Sequence, residues 1–161
     1  MTPFEIIAEK KVHLARLAGQ SGAAGEKDAV LAMAWAPRPK GPALRILLET
    51  LRAAGQVLKP SSFDAIAVQG PIDFTRRDEV EAALADLIFI EIKTANQARV
   101  QPGFGGFFFA LTESEIAAAE TLGDRHRVAL YNNLTGELLL TSVPEIIART
   151  RSMTWQLSVQ L

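Results

Sequence analysis

Two residues of opposite charge close an apolar run in DLIFIEIKTANQ, residues 86–97. Side chains of a strand alternate between its faces. Glu91 and Lys93 therefore project together on one face, with Ile90 and Ile92 on the other. A buried charge is costly unless it is paired or coordinates something. The plainest account is a surface Glu–Lys pair at a strand end, worth under about 1 kcal/mol. A second acidic residue raises another prospect. Asp64 heads a further apolar run, FDAIAV, 27 positions before Glu91. An Asp from one strand and a Glu from its neighbour can jointly hold a hard divalent cation through oxygen ligands. A lysine beside them can orient or activate a water, or offset charge developing on a phosphate oxygen. Metal-assisted phosphodiester hydrolysis uses that set of residue types.

The elements that would position these groups read in order along the chain. Residues 2–17 carry Phe4, Ile7, Val12, Leu14 and Leu17 at roughly helical spacing. Three glycines in AGQSGAAGE break that pattern, and a second short helix, EKDAVLAMAW, stops at the Pro-rich connector APRPKGP. PALRILLETLRAAGQVL has Pro42 at a first turn and Leu44, Leu47, Leu48 and Leu51 in register, which predicts a helix. FDAIAV then predicts a strand, and GPIDFTRRDEVEAALA a loop opening a short helix. DLIFIEIKTA and GFFFALT are the second and third expected strands. In ESEIAAAETLG, Thr112 at the N-cap with Glu115 three residues on forms a capping box, and Gly123 is placed to close the helix. RHRVALYN and ELLLTSV flank NLTG, whose turn chemistry suggests a hairpin. PEIIARTR opens on Pro144 as a helix, and TWQLSVQL alternates as a final strand, with Trp155, Leu157, Val159 and Leu161 on one face. Helices followed by a strand-rich core with an embedded helix predict an α/β or α+β class with a mixed sheet.

Composition narrows the function classes. The chain has 161 residues, 48% hydrophobic and 22% charged, enough for one domain with a packed core. It has no cysteine, which excludes disulfides, thiolate zinc sites and cysteine nucleophiles. Its two histidines, His13 and His126, are too far apart in sequence for a His-rich metal motif. A net charge of −1 argues against a nonspecific nucleic-acid coat, though not against a local basic groove around an acidic site. The N-terminal residues do not read as a signal peptide, and no stretch approaches the roughly 18 apolar residues needed to span a bilayer. The expectation is a cytoplasmic protein without membrane attachment.

The order of helix, strand with Asp64, strand with IEIKT, apolar strand, helix and RHRVALYN strand resembles the PD-(D/E)XK nuclease superfamily, the restriction-endonuclease-like fold. More narrowly, IEIKTA…FFFALTESEIAAAETLGDRHRVALYN is similar to the domain at the C-terminus of No-Vein-type proteins and in bacterial defence proteins. There an EVK strand precedes an F-x-LT-x-x-E helix start and a Y-x-LY strand. The resemblance covers roughly residues 43–132 and implies a restriction-endonuclease-like mixed central sheet flanked by helices. Residues 1–41 would be an N-terminal helical extension. Residues 42–161 would be the nuclease-like core with a C-terminal hairpin, helix and strand. It also implies that Glu91 is a metal ligand, Lys93 the catalytic lysine and Asp64 the second ligand, with Mg²⁺ or Mn²⁺ as cofactor and DNA as partner. The superfamily usually presents that aspartate after a proline, whereas here Phe63 precedes it and Pro60 lies four positions earlier. Asp73, in the breaker-rich GPIDF, is a rival for the same role. Some members add a Glu from the first core helix, and Glu49 in LLETL is the residue here that could supply it, or it is a solvated helix-face residue.

Arg76, Arg77 and Arg99 could contact phosphates, as could Arg38, Lys40, Arg125 and Arg127, with a solvated face as the alternative for each. Thr94 and Gln97 could touch substrate or simply bond within a loop. PGFGGFFF is no phosphate loop and reads as a flexible entry to a buried strand, so residues 96–106 would border the site. His126 reads as half-buried on a strand, and Trp35 and Trp155 as core or interface residues. Three functions follow: a divalent-metal-dependent DNA endonuclease in restriction, defence or repair; a catalytically degenerate nuclease-fold module binding nucleic acid or a protein; or an assembly protein whose C-terminal strand completes a sheet across a homodimer.

Overall fold

A computed structural model of the chain describes residues 26–154, 157 and 159–161. The helix expected over residues 2–17, with His13, and Trp155 in the C-terminal stretch lie outside these residues. Five strands form one sheet in the order β1 (Ala34–Pro37), β2 (Ala65–Val68), β3 (Ile88–Ala95), β4 (His126–Asn132) and β5 (Leu138–Thr141). All neighbours are antiparallel except β3 and β4, which run parallel. The expected α+β class with a mixed sheet is therefore found. Among the described residues five α-helices accompany it: α1 (Glu26–Ala32), α2 (Gly41–Ala53), α3 (Arg77–Ala83), α4 (Glu113–Leu122) and α5 (Val143–Arg149). No helix among the described residues is long and apolar enough to cross a membrane.

The parallel pair sets the plan, because parallel strands need a crossover and α4 supplies it. Phe89, Glu91, Lys93 and Ala95 of β3 face the same side as His126, Val128 and Leu130 of β4. On that side Phe89 joins Leu47 and Leu51 of α2, Val80 of α3, and Ala118 and Leu122 of α4 in one core. Phe63 stands edge-on to Phe89, ring centroids 5.0 Å apart. Toward the other end of the strands a second cluster gathers Ala95, Val100, Phe104, Val128, Leu130 and Val143. Ile90, Ala65, Ala67 and Tyr131 occupy the opposite face with Val30 of α1 and Trp35. Every residue of β4 is buried, as expected for a strand covered on both faces.

Local signals hold where they act locally. Pro42 sits in the first turn of α2, and Gly55, at φ +83°, takes the left-handed conformation just past its end. Both halves of the α4 capping box are made: the Thr112 hydroxyl accepts from the Glu115 N–H, and Glu115 accepts from the Thr112 N–H. Gly136, at φ +77°, turns the chain between β4 and β5.

Three expectations are corrected. EKDAVLAMAW is not helical throughout: it stops at Ala32, and Ala34–Pro37 becomes the edge strand β1 on β2. Trp35 is buried, its indole N–H donating to the Val30 carbonyl. Pro37 is tolerated there because a terminal residue of an edge strand can forgo one ladder bond. Residues 26–41, expected within a helical extension, thus contribute a helix and a strand to the same sheet. GFFFALT is not a strand. Phe107, Phe109 and Leu111 are part-buried against the second cluster while Phe108 is exposed, giving strand-like alternation without a ladder. Both edges of β3 are already taken by β2 and β4, so no lateral position beside it remains. In the C-terminal stretch the described residues Leu157, Val159 and Leu161 are exposed and carry no strand pairing.

Phe89 is fully buried at the contact of sheet, α2 and α4. Phe89→Ala is expected to cost about 3–5 kcal/mol of folding stability through lost burial and the cavity left behind, read as a lower urea midpoint at unchanged slope.

Candidate functional site

Asp64 stands immediately before β2, and the β2–β3 register, Ala65 opposite Ile90, places it opposite Glu91. Backbone and side chain both fix it there. The Asp64 N–H donates to the Ile90 carbonyl at 2.8 Å, and the Ile92 N–H donates to Asp64 Oδ2 at 2.8 Å. Arg38 secures the approach: its guanidinium donates to the carbonyls of Pro60 and Phe63, and its backbone N–H to the Asp64 carbonyl. Arg38, a candidate phosphate contact by sequence, thus shapes the turn that presents Asp64.

Glu91 is 6% exposed and lies under α4. Lys93 Nζ is 3.2 Å from Glu91 Oε1 and 2.9 Å from Glu115 Oε1, at the first turn of α4. Glu115 is itself only 3% exposed, and its other oxygen accepts from the Thr112 N–H at 2.9 Å. The site therefore contains three carboxylates, Asp64, Glu91 and Glu115, against one ammonium. Fully ionised, it carries a net charge of −2. Ionised, Glu91 Oε2 is buried with no hydrogen-bond partner; protonated, the Glu91 carboxyl can donate to Glu115.

The proton affinities follow from this crowding. Burial, with the charges of Asp64 and Glu115 added, pushes the Glu91 carboxyl up to about 8 despite the nearby ammonium. Burial also opposes ionisation of Glu115, but the Thr112 N–H and Lys93 prevail and hold its pKa below the ordinary value. Lys93 is raised, since Glu115 and Glu91 outweigh the burial that disfavours its charge. His126 is buried on the same sheet face, its Nε2 3.1 Å from the Ser62 carbonyl and Nδ1 without a partner; burial lowers its pKa.

Of the residues singled out from the sequence, the structure joins Asp64, Glu91 and Lys93. It does not join Asp73 or Glu49 to them. Asp73 lies past the other end of β2, where its carboxylate accepts from the Thr75 hydroxyl and N–H in the turn entering α3. Those bonds lower its pKa. Glu49 is half-exposed on α2 and pairs with Arg77 at 2.6 Å; Arg76 pairs with Asp78 and Glu79. Arg99 is exposed in the loop after β3. Arg125 is structural, donating to the carbonyls of Leu84 and Leu87, and Arg127 donates to the Asp124 carbonyl. Glu115 escaped the sequence reading as a site residue because its capping box accounted for it. Its spacing could have flagged it: a buried glutamate at a helix start can serve the cap with one oxygen and keep the other free.

Among the described residues no group of three or more His, Asp or Glu side chains is arranged to hold a metal ion. Asp64 and Glu91 nevertheless fit a hard divalent cation as a pair. They offer only oxygen donors, and with all three carboxylates ionised Glu91 Oε2 lacks a partner and the site carries a surplus of two negative charges. Mg²⁺ is commonly held by one or two carboxylates, with waters and substrate phosphates completing its shell. No protein-family model matches the chain, and no curated protein or solved structure is similar enough to match it.

Because Glu91 keeps its proton in the folded state up to about pH 8 and loses it near 4.5 when unfolded, unfolding releases a proton between those values. Stability present below pH 4.5 is therefore lost progressively as pH rises to about 8. Glu91→Gln is expected to flatten that slope and to melt higher than wild type at pH 8–9, measured by thermal unfolding across pH in chelator.

Proposed function

We propose that the protein is a divalent-metal-dependent endonuclease of the PD-(D/E)XK kind, hydrolysing DNA phosphodiesters in restriction, defence or repair. The observation that carries this reading is the convergence of Asp64 and Glu91 across β2 and β3 beside Lys93, with Glu91 Oε2 unpartnered. A site with surplus negative charge and a buried bare oxygen takes either a proton or a cation. The Glu91–Lys93 strand runs parallel to the strand after the crossover helix, which supports part of the element order of that superfamily; its apolar strand between IEIKT and the helix has no counterpart among the described residues.

When bound, Mg²⁺ or Mn²⁺ supplies Lewis acidity at the scissile phosphate and makes a water acidic enough to attack near neutral pH. Asp64 and Glu91 would hold it. Asp64 is pre-oriented by the Ile92 N–H, and Glu91 by its place on a buried strand. Lys93 has three N–H donors, two of them directed at Glu91 and Glu115, and the third orients the attacking water or offsets charge on the phosphate. Arg99, exposed on the loop after β3, is the proposed phosphate contact.

One observation favours the second reading, a catalytically degenerate module that binds nucleic acid or a protein. Lys93 is engaged by two carboxylates and only 16% exposed, so the site is closed as it stands.

Titration of Mn²⁺ into the wild type is expected to give binding heat that disappears in Glu91→Ala and Asp64→Ala. Mg²⁺- or Mn²⁺-dependent cleavage of DNA should fall by about 10²–10⁴-fold in Lys93→Ala. A wild type that binds no Mn²⁺ sinks the catalytic reading and leaves the binding module.

A further inference from the structure

We propose that Glu115 is the positioning residue for Lys93: anchored in the α4 cap, it holds the ammonium from the helix side and leaves Asp64 and the free oxygen of Glu91 for the cation. This rests on the nuclease reading above. The division of labour follows from which oxygens are occupied. Glu115 Oε2 takes the Thr112 N–H and Oε1 takes Lys93 Nζ, both at 2.9 Å, so both its oxygens are engaged. As an ionised carboxylate Glu91 engages only Oε1, and Oε2 is left without a partner. The two glutamates have the same side chain, and the surroundings give them different tasks.

Geometry also explains why a second anchor is needed. Lys93 follows Glu91 by two residues on one strand face, and a lysine stem has four flexible carbons. Held by β3 alone, its ammonium would be drawn to the same two carboxylates that are to receive the cation. Glu115 comes from a different element, and α4 is locked by its reciprocal cap. Ser61, in the turn leading to Asp64, also lies 3.2 Å from Ser114 in the first turn of α4, tying the two sides together. The backbone half of the box, the Thr112 N–H on Glu115 Oε2, thereby serves a purpose beyond helix initiation: it fixes the carboxylate that holds Lys93.

The test separates cap from anchor. Glu115→Gln retains one oxygen for two donors, so the pairing with Lys93 weakens, whereas Thr112→Ala removes the reciprocal half of the box and leaves that pairing intact. Glu115→Gln is expected to lower kcat for DNA cleavage about 10–100-fold, the usual effect of losing a residue that orients a ligand or catalytic group. KM and Mn²⁺ affinity should stay within about twofold, tenfold corresponding to 1.4 kcal/mol. Thr112→Ala should melt lower yet keep kcat within about threefold on the same scale. Equal loss in the two variants overturns the proposal in favour of a purely structural cap, and collapse of Mn²⁺ binding in Glu115→Gln overturns it by making Glu115 a ligand. An independent readout is the Lys93 ammonium resonance in nitrogen-15 NMR, visible while its protons are held in hydrogen bonds. It should vanish in Glu115→Gln and persist in Thr112→Ala; persistence in both overturns the proposal. If the wild type neither binds Mn²⁺ nor cuts DNA, the nuclease reading falls, and the resonance alone decides whether Glu115 holds Lys93.

Discussion

Lys93 Nζ lies within 3.2 Å of carboxylates from two different elements, one on β3 and one on α4. Both carboxylates are more than nine-tenths buried, and in such surroundings each charge must find a partner close by. One ammonium between two buried glutamates is electrostatically incomplete, and Asp64 at the edge of the group enlarges the deficit. The protonation of Glu91 to about pH 8, the bare Oε2 and the affinity proposed for a divalent cation are all expressions of this one imbalance. A proton removes one unit of surplus charge and a divalent cation removes two. The two occupants therefore compete for the same vacancy in charge, and metal affinity falls as pH drops below the value at which Glu91 ionises.

The rest of the fold can be understood as what brings these four side chains together. Antiparallel pairing of β2 and β3 puts Asp64 opposite Glu91. Parallel pairing of β3 and β4 requires a crossover, and α4 is the crossover that carries Glu115 back over the face of β3. Around the cluster, Phe63, Phe89, Ala118 and Leu122 exclude water and raise the electrostatic stakes of each pairing. Arg38 and Arg125, both charged and both potential nucleic-acid contacts by residue type, are instead spent on backbone carbonyls that shape the turns at the ends of β2 and β3. The raised Glu91 pKa makes the arrangement less stable at alkaline pH than at acid pH.

Several elements were legible because their signals are local. Pro42, the spacing of Leu47 and Leu51, the Thr112–Glu115 box, Gly123 and the NLTG turn each act within a few residues, and each produced the expected element. The failures share a different cause. AWAP became a strand because β2 offered an unpaired edge, which no pattern within those four residues announces. The aromatic run GFFFALT alternates like a strand, yet β3 had no free edge to receive it, so its rings pack as a loop. Leu157, Val159 and Leu161 alternate too, and found no partner strand among the described residues. Alternation reports which side chains are buried; pairing depends on where another strand lies.

The same division applies to the site. Residue order alone determined that Glu91 and Lys93 share a face, that Asp64 heads a strand, and that Glu115 caps a helix, because period-two alternation and capping chemistry depend only on close neighbours in the chain. Tertiary structure decided which acids met. It chose Asp64 over Asp73 through the β2–β3 register, sent Glu49 to Arg77, and brought Glu115 from 22 positions away onto Lys93. Those choices are made by strand pairing and by the path of a crossover helix, and charges attract by distance in space, a quantity the spacing of residues along a chain does not contain.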